Sequence, residues 1–264
     1  MNIKIEDVLD ILTTPKIPIE NTVDNLLLGS VDTDVTGIAV AFLASQEVIE
    51  KAKDLGVNLI ISHEGIFYSH RDNHKILQRN SVYIQKYRTI QKNDLAIFRY
   101  HDYIHRCFPD GITAGLLKEL NWVDYEVENL QTSSILEIPE NTAENLIVHI
   151  KKQLGISYVR FIGDLSMSCK RIGILVGYRG SSEITLPLFQ EKNLDLIIYG
   201  EGPEWETPEY VKDAVQQGKN KALIVLGHGE SEMPGMKYLA QWLQKQLSDI
   251  PVYFIPQKSV FQIR

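Results

Sequence analysis

The chain has 264 residues, enough for one large domain or two modest ones with a sizeable buried core. Apolar residues make up 44% and charged residues 23%, which excludes disorder, collagen-like repetition and coiled coil as the main architecture. Acids outnumber bases 34 to 27 for a net charge of −7, and no dense Lys/Arg run is present, so direct nucleic-acid binding is disfavoured.

Cys107 and Cys169 make neither a disulfide framework nor a paired metal-ligand spacing. Both are expected as small buried hydrophobes in a reduced compartment. The opening residues carry acids, Glu6 and Asp7, where a signal peptide would be basic and then apolar. Apolar stretches such as Gly37 to Ala44 fall well short of the roughly 20 residues a membrane helix needs. A cytoplasmic location without a membrane partner is the expectation.

Short β-branched runs alternate with longer mixed segments, the rhythm of an α/β protein. Gly37 to Phe42 reads as a buried strand. Gln46 to Leu55 reads as a helix, because Val48, Ile49, Ala52 and Leu55 recur at helical spacing and Gly56 is a natural stop. Asn58 to Ser62 and Leu95 to Tyr100 are the next strands. Gly111 to Leu120 is a helix entered through Pro109 and Asp110, and Ala222 to Leu226 is a later strand.

A weak internal duplication is superimposed on this order. Asn58-Leu-Ile-Ile-Ser-His-Glu64-Gly65 reappears as Asp195-Leu-Ile-Ile-Tyr-Gly-Glu201-Gly202, an offset of 137. Gly37-Ile-Ala-Val40 reappears as Gly173-Ile-Leu-Val176, an offset of 136. Buried strands resemble one another simply because they draw on Ile, Leu and Val. The preserved offset and the Glu-Gly after both strands favour duplication. Two related α/β halves are expected, residues 1–125 and 126–264, with mixed sheets facing a shared cleft.

Seven histidines carry the chemical signal. His63 and Glu64 follow one strand, His101 and His105 another, and His228 a third, with Glu232 four residues beyond. Ligands collect outside the carboxyl ends of strands in open α/β sheets, so these groups can converge although distant in sequence. Imidazole with carboxylate is the donor set of Zn, Mn, Fe or Ni. His70, His74 and His149 are expected to be surface residues. His101 and His105 have the spacing of a helical two-histidine motif, but the preceding strand and the nearby Pro109 argue against a helix there.

The order of motifs resembles the Nif-three-like family (NGG-one-interacting factor three), whose bacterial members often carry the label GTP cyclohydrolase I type 2 homologue. Val23 to Gly29 is similar to the family's opening Trp-Asp-Asn-x-Gly-Leu-x-x-Gly. Gly56 to Phe67 resembles its Gly-Ala-Asp-Leu-Ile-Ile-Ser-His-His-Pro-x-x-Phe signature, and Phe98 to His105 stands where the family has a strand and then His-Thr-Asn-Leu-Asp. Gly177 to Ser182 resembles a Gly-Gly-x-Gly-Ser loop, Ile198 to Glu201 a Thr-Gly-Glu, and Gly227 to Glu232 a Gly-His-Tyr-x-Ser/Thr-Glu. The segment between Leu120 and Phe161 is too short for the domain that longer members insert.

The resemblance implies two divalent metal ions held by His63, Glu64, His105, His228 and Glu232, the last segment completing the first-half site. Two positions depart from the family: Glu64 replaces a histidine and His105 an aspartate, so the total of imidazoles and carboxylates is kept. Leu43 also stands where an aspartate is frequent. Glu64 is expected as a ligand or general base, and His101 as a group orienting ligand or substrate. The loop from Gly177 to Ser182 is either an anion cradle or an ordinary glycine-rich turn. Gly180, Ser181 and Glu201 are its candidate substrate contacts. The implied function is a metal-dependent hydrolase of a small, nucleotide-like substrate, assembled as a toroidal homohexamer. The alternative is a non-catalytic metal-binding regulatory or interaction protein.

Overall fold

The computed structural model describes residues 2–15, 18–71 and 74–263. In chain order the elements are α1 (Ile5–Leu12), β1 (Asn25–Leu28), β2 (Ile38–Leu43), α2 (Gln46–Asp54), β3 (Leu59–Glu64), α3 (Ser81–Lys92), β4 (Ala96–Arg99) and α4 (Asp102–Arg106). Then come α5 (Gly111–Glu119), β5 (Glu126–Asn129), β6 (Ser134–Thr142), α6 (Ala143–Leu154), β7 (Arg160–Ile162), β8 (Ser168–Leu175) and α7 (Ser182–Glu191). The chain closes with β9 (Leu196–Tyr199), α8 (Thr207–Gln216), β10 (Ala222–Val225), α9 (His228–Gln246) and β11 (Val252–Phe254).

These elements form two compact units. The first comprises Met1–Phe108 and Met236–Gln257, the second Pro109–Gly235 and Lys258–Arg264, so the division falls inside α9. The first unit holds a five-stranded mixed sheet in the order β1-β4-β3-β2-β11. Its β11, β2, β3 and β4 are parallel, and β1 closes the β4 edge antiparallel. The second unit holds a six-stranded mixed sheet in the order β5-β6-β8-β9-β10-β7. Here β8, β9 and β10 are parallel, and β7 closes the β10 edge antiparallel. The fold class is therefore α/β, with the same parallel triplet and antiparallel neighbour in both sheets.

Local chemistry explains the helices that frame the first sheet. Ser45 caps α2 by accepting the Val48 N–H through its side chain, and Gly56, at φ +69°, ends it as expected. The α2 face of Val48, Ile49 and Ala52 packs with Ala39, Ala41, Ile60, Ile97 and Ile90. In the second unit Phe189, Val211, Ile197, Tyr199 and Leu223 form the equivalent core. One strand is longer than expected: β3 continues past Ser62, because Glu64 still pairs with Leu43 on β2. Cys169 is buried as expected, whereas Cys107 is exposed, lying just past the end of α4. Among the described residues no helix is long and apolar enough to cross a membrane.

Candidate metal centre

In the first unit β3 is central, and its last residues carry the chemistry. Successive side chains of a strand leave on opposite faces. His63 is fully buried, and its Nδ1 lies 3.1 Å from the Tyr100 carbonyl oxygen. A carbonyl only accepts, so Nδ1 carries the proton and the lone pair stays on Nε2. Glu64 turns to the other face, where Arg99 stands beside Ser62 in the parallel register.

His101 and His105 belong to a helix after all. β4 stops at Arg99, and α4 spans Asp102–Arg106 with His101 as its N-cap residue. The expectation against helix here failed because the cap comes from far along the chain. The Asp24 carboxylate accepts the backbone N–H groups of His101, Asp102 and Tyr103 at 2.6–2.8 Å, satisfying the donors that a helix start leaves over. Burial raises the Asp24 pKa despite those three hydrogen bonds. The two imidazoles consequently meet edge to face, 5.1 Å between ring centres. His63 stacks on His101 at 4.5 Å and meets the edge of His105 at 5.0 Å.

His101 donates Nδ1–H to Asp102 Oδ1 at 2.9 Å, which again leaves Nε2 with the lone pair. Asp102 is itself held by the Thr22 hydroxyl and the Val23 N–H, both at 2.9 Å. Burial works to raise the Asp102 pKa, but the hydrogen bonds from Val23, His101 and Thr22 prevail and hold it at about 2. Burial first, and then the neighbouring His63 and His105, push His101 down to about 4, so it is neutral at physiological pH. One nitrogen each of His63, His101 and His105 falls within 4.8 Å of the others, a group able to hold a metal ion.

Arg99 organises the opposite side. Its side chain is 0% exposed, and its guanidinium donates to Glu64 Oε2 at 2.8 Å. It donates further to the carbonyl oxygens of His63 and His70. It also lies 3.0 Å from His70 Nδ1. A guanidinium has no acceptor, so His70 Nδ1 accepts and its Nε2 holds the proton. Although Glu64, His70 and His101 are also close enough to share an ion, that tautomer makes His70 a donor rather than a ligand. Its tie to Arg99 and Glu64 was not expected of a surface histidine; a charged residue ending a buried strand was the available signal.

In the second unit β10 leads through Gly227, at φ +108°, into α9, whose first residue is His228. Position i+4 of a helix lies on the same face, which brings His228 Nε2 to 3.1 Å from Glu232 Oε2. His228 Nδ1 meets Glu201 Oε1 at 2.8 Å, the arrangement already seen at His63 and His101. Ser231 ties the turn together, donating to the His228 carbonyl at 2.7 Å and accepting the Gly177 N–H at 2.9 Å. Gly177 has φ +60°, and a Cβ there would fall 2.2 Å from Glu232 Oε1. Only glycine fits.

The remaining expected residues lie around this second cluster or elsewhere. Gly180 spends both backbone groups inside the protein, its N–H on the Glu201 carbonyl and its carbonyl on the Thr207 hydroxyl. Ser181 is the N-cap residue of α7, and the next amide, Ser182 N–H, is taken by Glu206 Oε2 at 2.7 Å. A carboxylate of the chain thus already sits at this helix start. His74 packs edge-on against Phe67, and His149 stacks on Trp122 while bonding the Leu120 carbonyl at 2.8 Å. Both have structural partners.

The profile described as Duf34/NIF3 (NGG1p interacting factor 3) matches residues 4–259. The chain belongs to the Duf34/NIF3 family. A Clostridium perfringens member named GTP cyclohydrolase 1 type 2 homolog is 26% identical over 268 residues, covering 97% of this chain and 96% of that one. A Clostridium acetobutylicum protein of the same name is 22% identical, covering 94% and 92%. Among solved structures, a Bacillus cereus protein related to NIF3 superposes with a TM-score of 0.79 at 14% identity, covering 100% of this chain and 99% of that one. That likeness is one of fold. As a Duf34/NIF3 protein the chain carries groups able to bind a metal, and imidazole with carboxylate suits Zn, Mn, Fe or Ni.

Proposed function

We propose that this protein is a metal-dependent hydrolase of a small, nucleotide-like substrate, working with two divalent ions. One observation carries the reading. His63, His101 and His228 each commit Nδ1 to an oxygen acceptor, the Tyr100 carbonyl, Asp102 and Glu201 respectively, so that Nε2 is the nitrogen each presents for coordination, in His228 alongside Glu232 Oε2 at 3.1 Å. Metal-binding histidines are held in this way, with the second ring nitrogen fixed on an oxygen acceptor.

His63 and His105 are the ligands we assign in the first unit, and His228 and Glu232 those in the second. Glu64 and His101 divide the remaining ligand and proton-handling roles. A divalent cation on such donors supplies Lewis acidity toward an electrophilic centre and toward water. Asp102 and Glu201 orient His101 and His228, and Arg99 holds Glu64 in place. The names of the clostridial relatives point to a nucleotide, and ring C–N or phosphoester cleavage is the matching reaction class. Descent of residues 1–125 and 126–264 from one duplicated half is supported by the strand order the two sheets share. A cytoplasmic location and a homohexameric assembly rest on the family likeness.

Elemental analysis of protein purified without chelator and then offered Zn, Mn or Fe tests the reading. At least about one equivalent per chain is expected to remain bound. His228→Ala and Glu232→Gln should each reduce it, and His149→Ala should not. Retention of less than that overturns the metal assignment. Fully metallated protein that leaves a panel of nucleotides and phosphoesters intact overturns the hydrolase, in favour of the non-catalytic alternative.

A further inference from the structure

The geometry points to an exchange of roles in the first unit: His101, and not Glu64, is the third metal ligand beside His63 and His105. This rests on the metal reading above and assigns its donors. Likeness to the family placed Glu64 among the ligands and His101 outside them.

Three observations carry the exchange. First, one nitrogen of His101 belongs to the same close group as nitrogens of His63 and His105, and its ring stacks on His63 with 22° between the planes. Second, His101 is braced as a ligand. Its Nδ1–H goes to Asp102, and Asp102 is fixed by Thr22 and Val23. Its backbone N–H goes to Asp24. A carboxylate on Nδ1 fixes the ring's tautomer and orientation and raises the basicity of Nε2.

Third, Glu64 is engaged elsewhere. Its Oε2 is taken by a fully buried guanidinium that is also anchored on the His63 and His70 carbonyls. Chelation through both oxygens, or bridging between two ions, would make a cation compete with that guanidinium for Oε2, and weakening the pairing of a buried arginine is costly. Glu64 Oε1 lies 3.7 Å from His101 Nε2, while Oε2 is the oxygen that faces Arg99 and His70. That position suits proton acceptance. Glu64 acts there as the base, and Arg99 is its positioning residue.

Crystals of the full chain grown with Co(II) or Zn(II), with an anomalous difference map, decide the matter. The expected ion lies about 2.0–2.1 Å from Nε2 of His101, with no Glu64 oxygen at coordination distance. An ion bound by Glu64, with or without His101, overturns the exchange and leaves the metal reading standing. Absence of an ion at His63 and His105 overturns both. In solution, His101→Gln should weaken Zn retention by about 100-fold, and Glu64→Gln by less than about 10-fold with the Co(II) visible spectrum unmoved. Equal losses, or a spectrum that moves with Glu64→Gln alone, overturn the exchange.

Discussion

The carboxylate of Asp24, next to β1, accepts the backbone N–H of His101 at 2.6 Å, and through the next two amides it starts a helix that the local sequence does not start for itself. A five-residue helix is too short to persist on its own propensity. The position of two imidazoles therefore depends on an acid 77 residues earlier.

Asp24→Ala should consequently act on stability and metal together. Loss of an N-capping carboxylate costs about 0.5–2 kcal/mol, and burial places this case toward the upper end. Urea unfolding of the metal-free chain should register that loss, and Zn affinity should fall in parallel. Unchanged affinity with reduced stability would separate the cap from the imidazoles it positions.

Gly177→Ala should damage the second cluster from the backbone side. The new methyl would meet Glu232 Oε1, and φ +60° disfavours any side chain, at roughly 1 kcal/mol for the conformation alone. Glu232 must turn away from His228, so metal content should drop as it does in Glu232→Gln. A chain that loses stability yet keeps its full complement of metal would contradict this.

Lys86 sets an alkaline signature. It is 2% exposed, donates to the Ile66 carbonyl at 2.6 Å and stands over the Phe67 and Tyr68 rings. Burial lowers its pKa to about 8. Between that value and about 10.5 the unfolded chain binds the extra proton, so stability attributable to Lys86 rises as the pH rises. The neutral amine still donates to Ile66. The difference in unfolding free energy between the natural chain and Lys86→Met should move in the natural chain's favour across that window. A flat difference would show that the ammonium is not penalised by its surroundings.

Much of the framework was legible because buried parallel strands read as continuous Ile, Leu and Val, and because Ser45 and Gly56 bracket α2. His63, Glu64, His101, His105, His228 and Glu232 were legible as candidate donors from their strand-end positions, and the choice of His63, Glu64, His105, His228 and Glu232 among them came from the family resemblance. What escaped was set by long-range partners. The α4 cap comes from Asp24, and the role of His70 follows from Arg99, a cation that looks out of place in an apolar strand until Glu64 is seen beside it. Hydrogen-bond direction, which separates His70 from the other three imidazoles, has no imprint in residue spacing.

The buried guanidinium of Arg99 has a further consequence. Unlike an imidazole or an ammonium, it keeps its positive pole at any acidity the folded protein survives. The neighbourhood of Glu64 thus holds a permanent electrostatic partner that neither protons nor chelators remove, and the shape of the β3 exit should outlast the loss of every exchangeable ion.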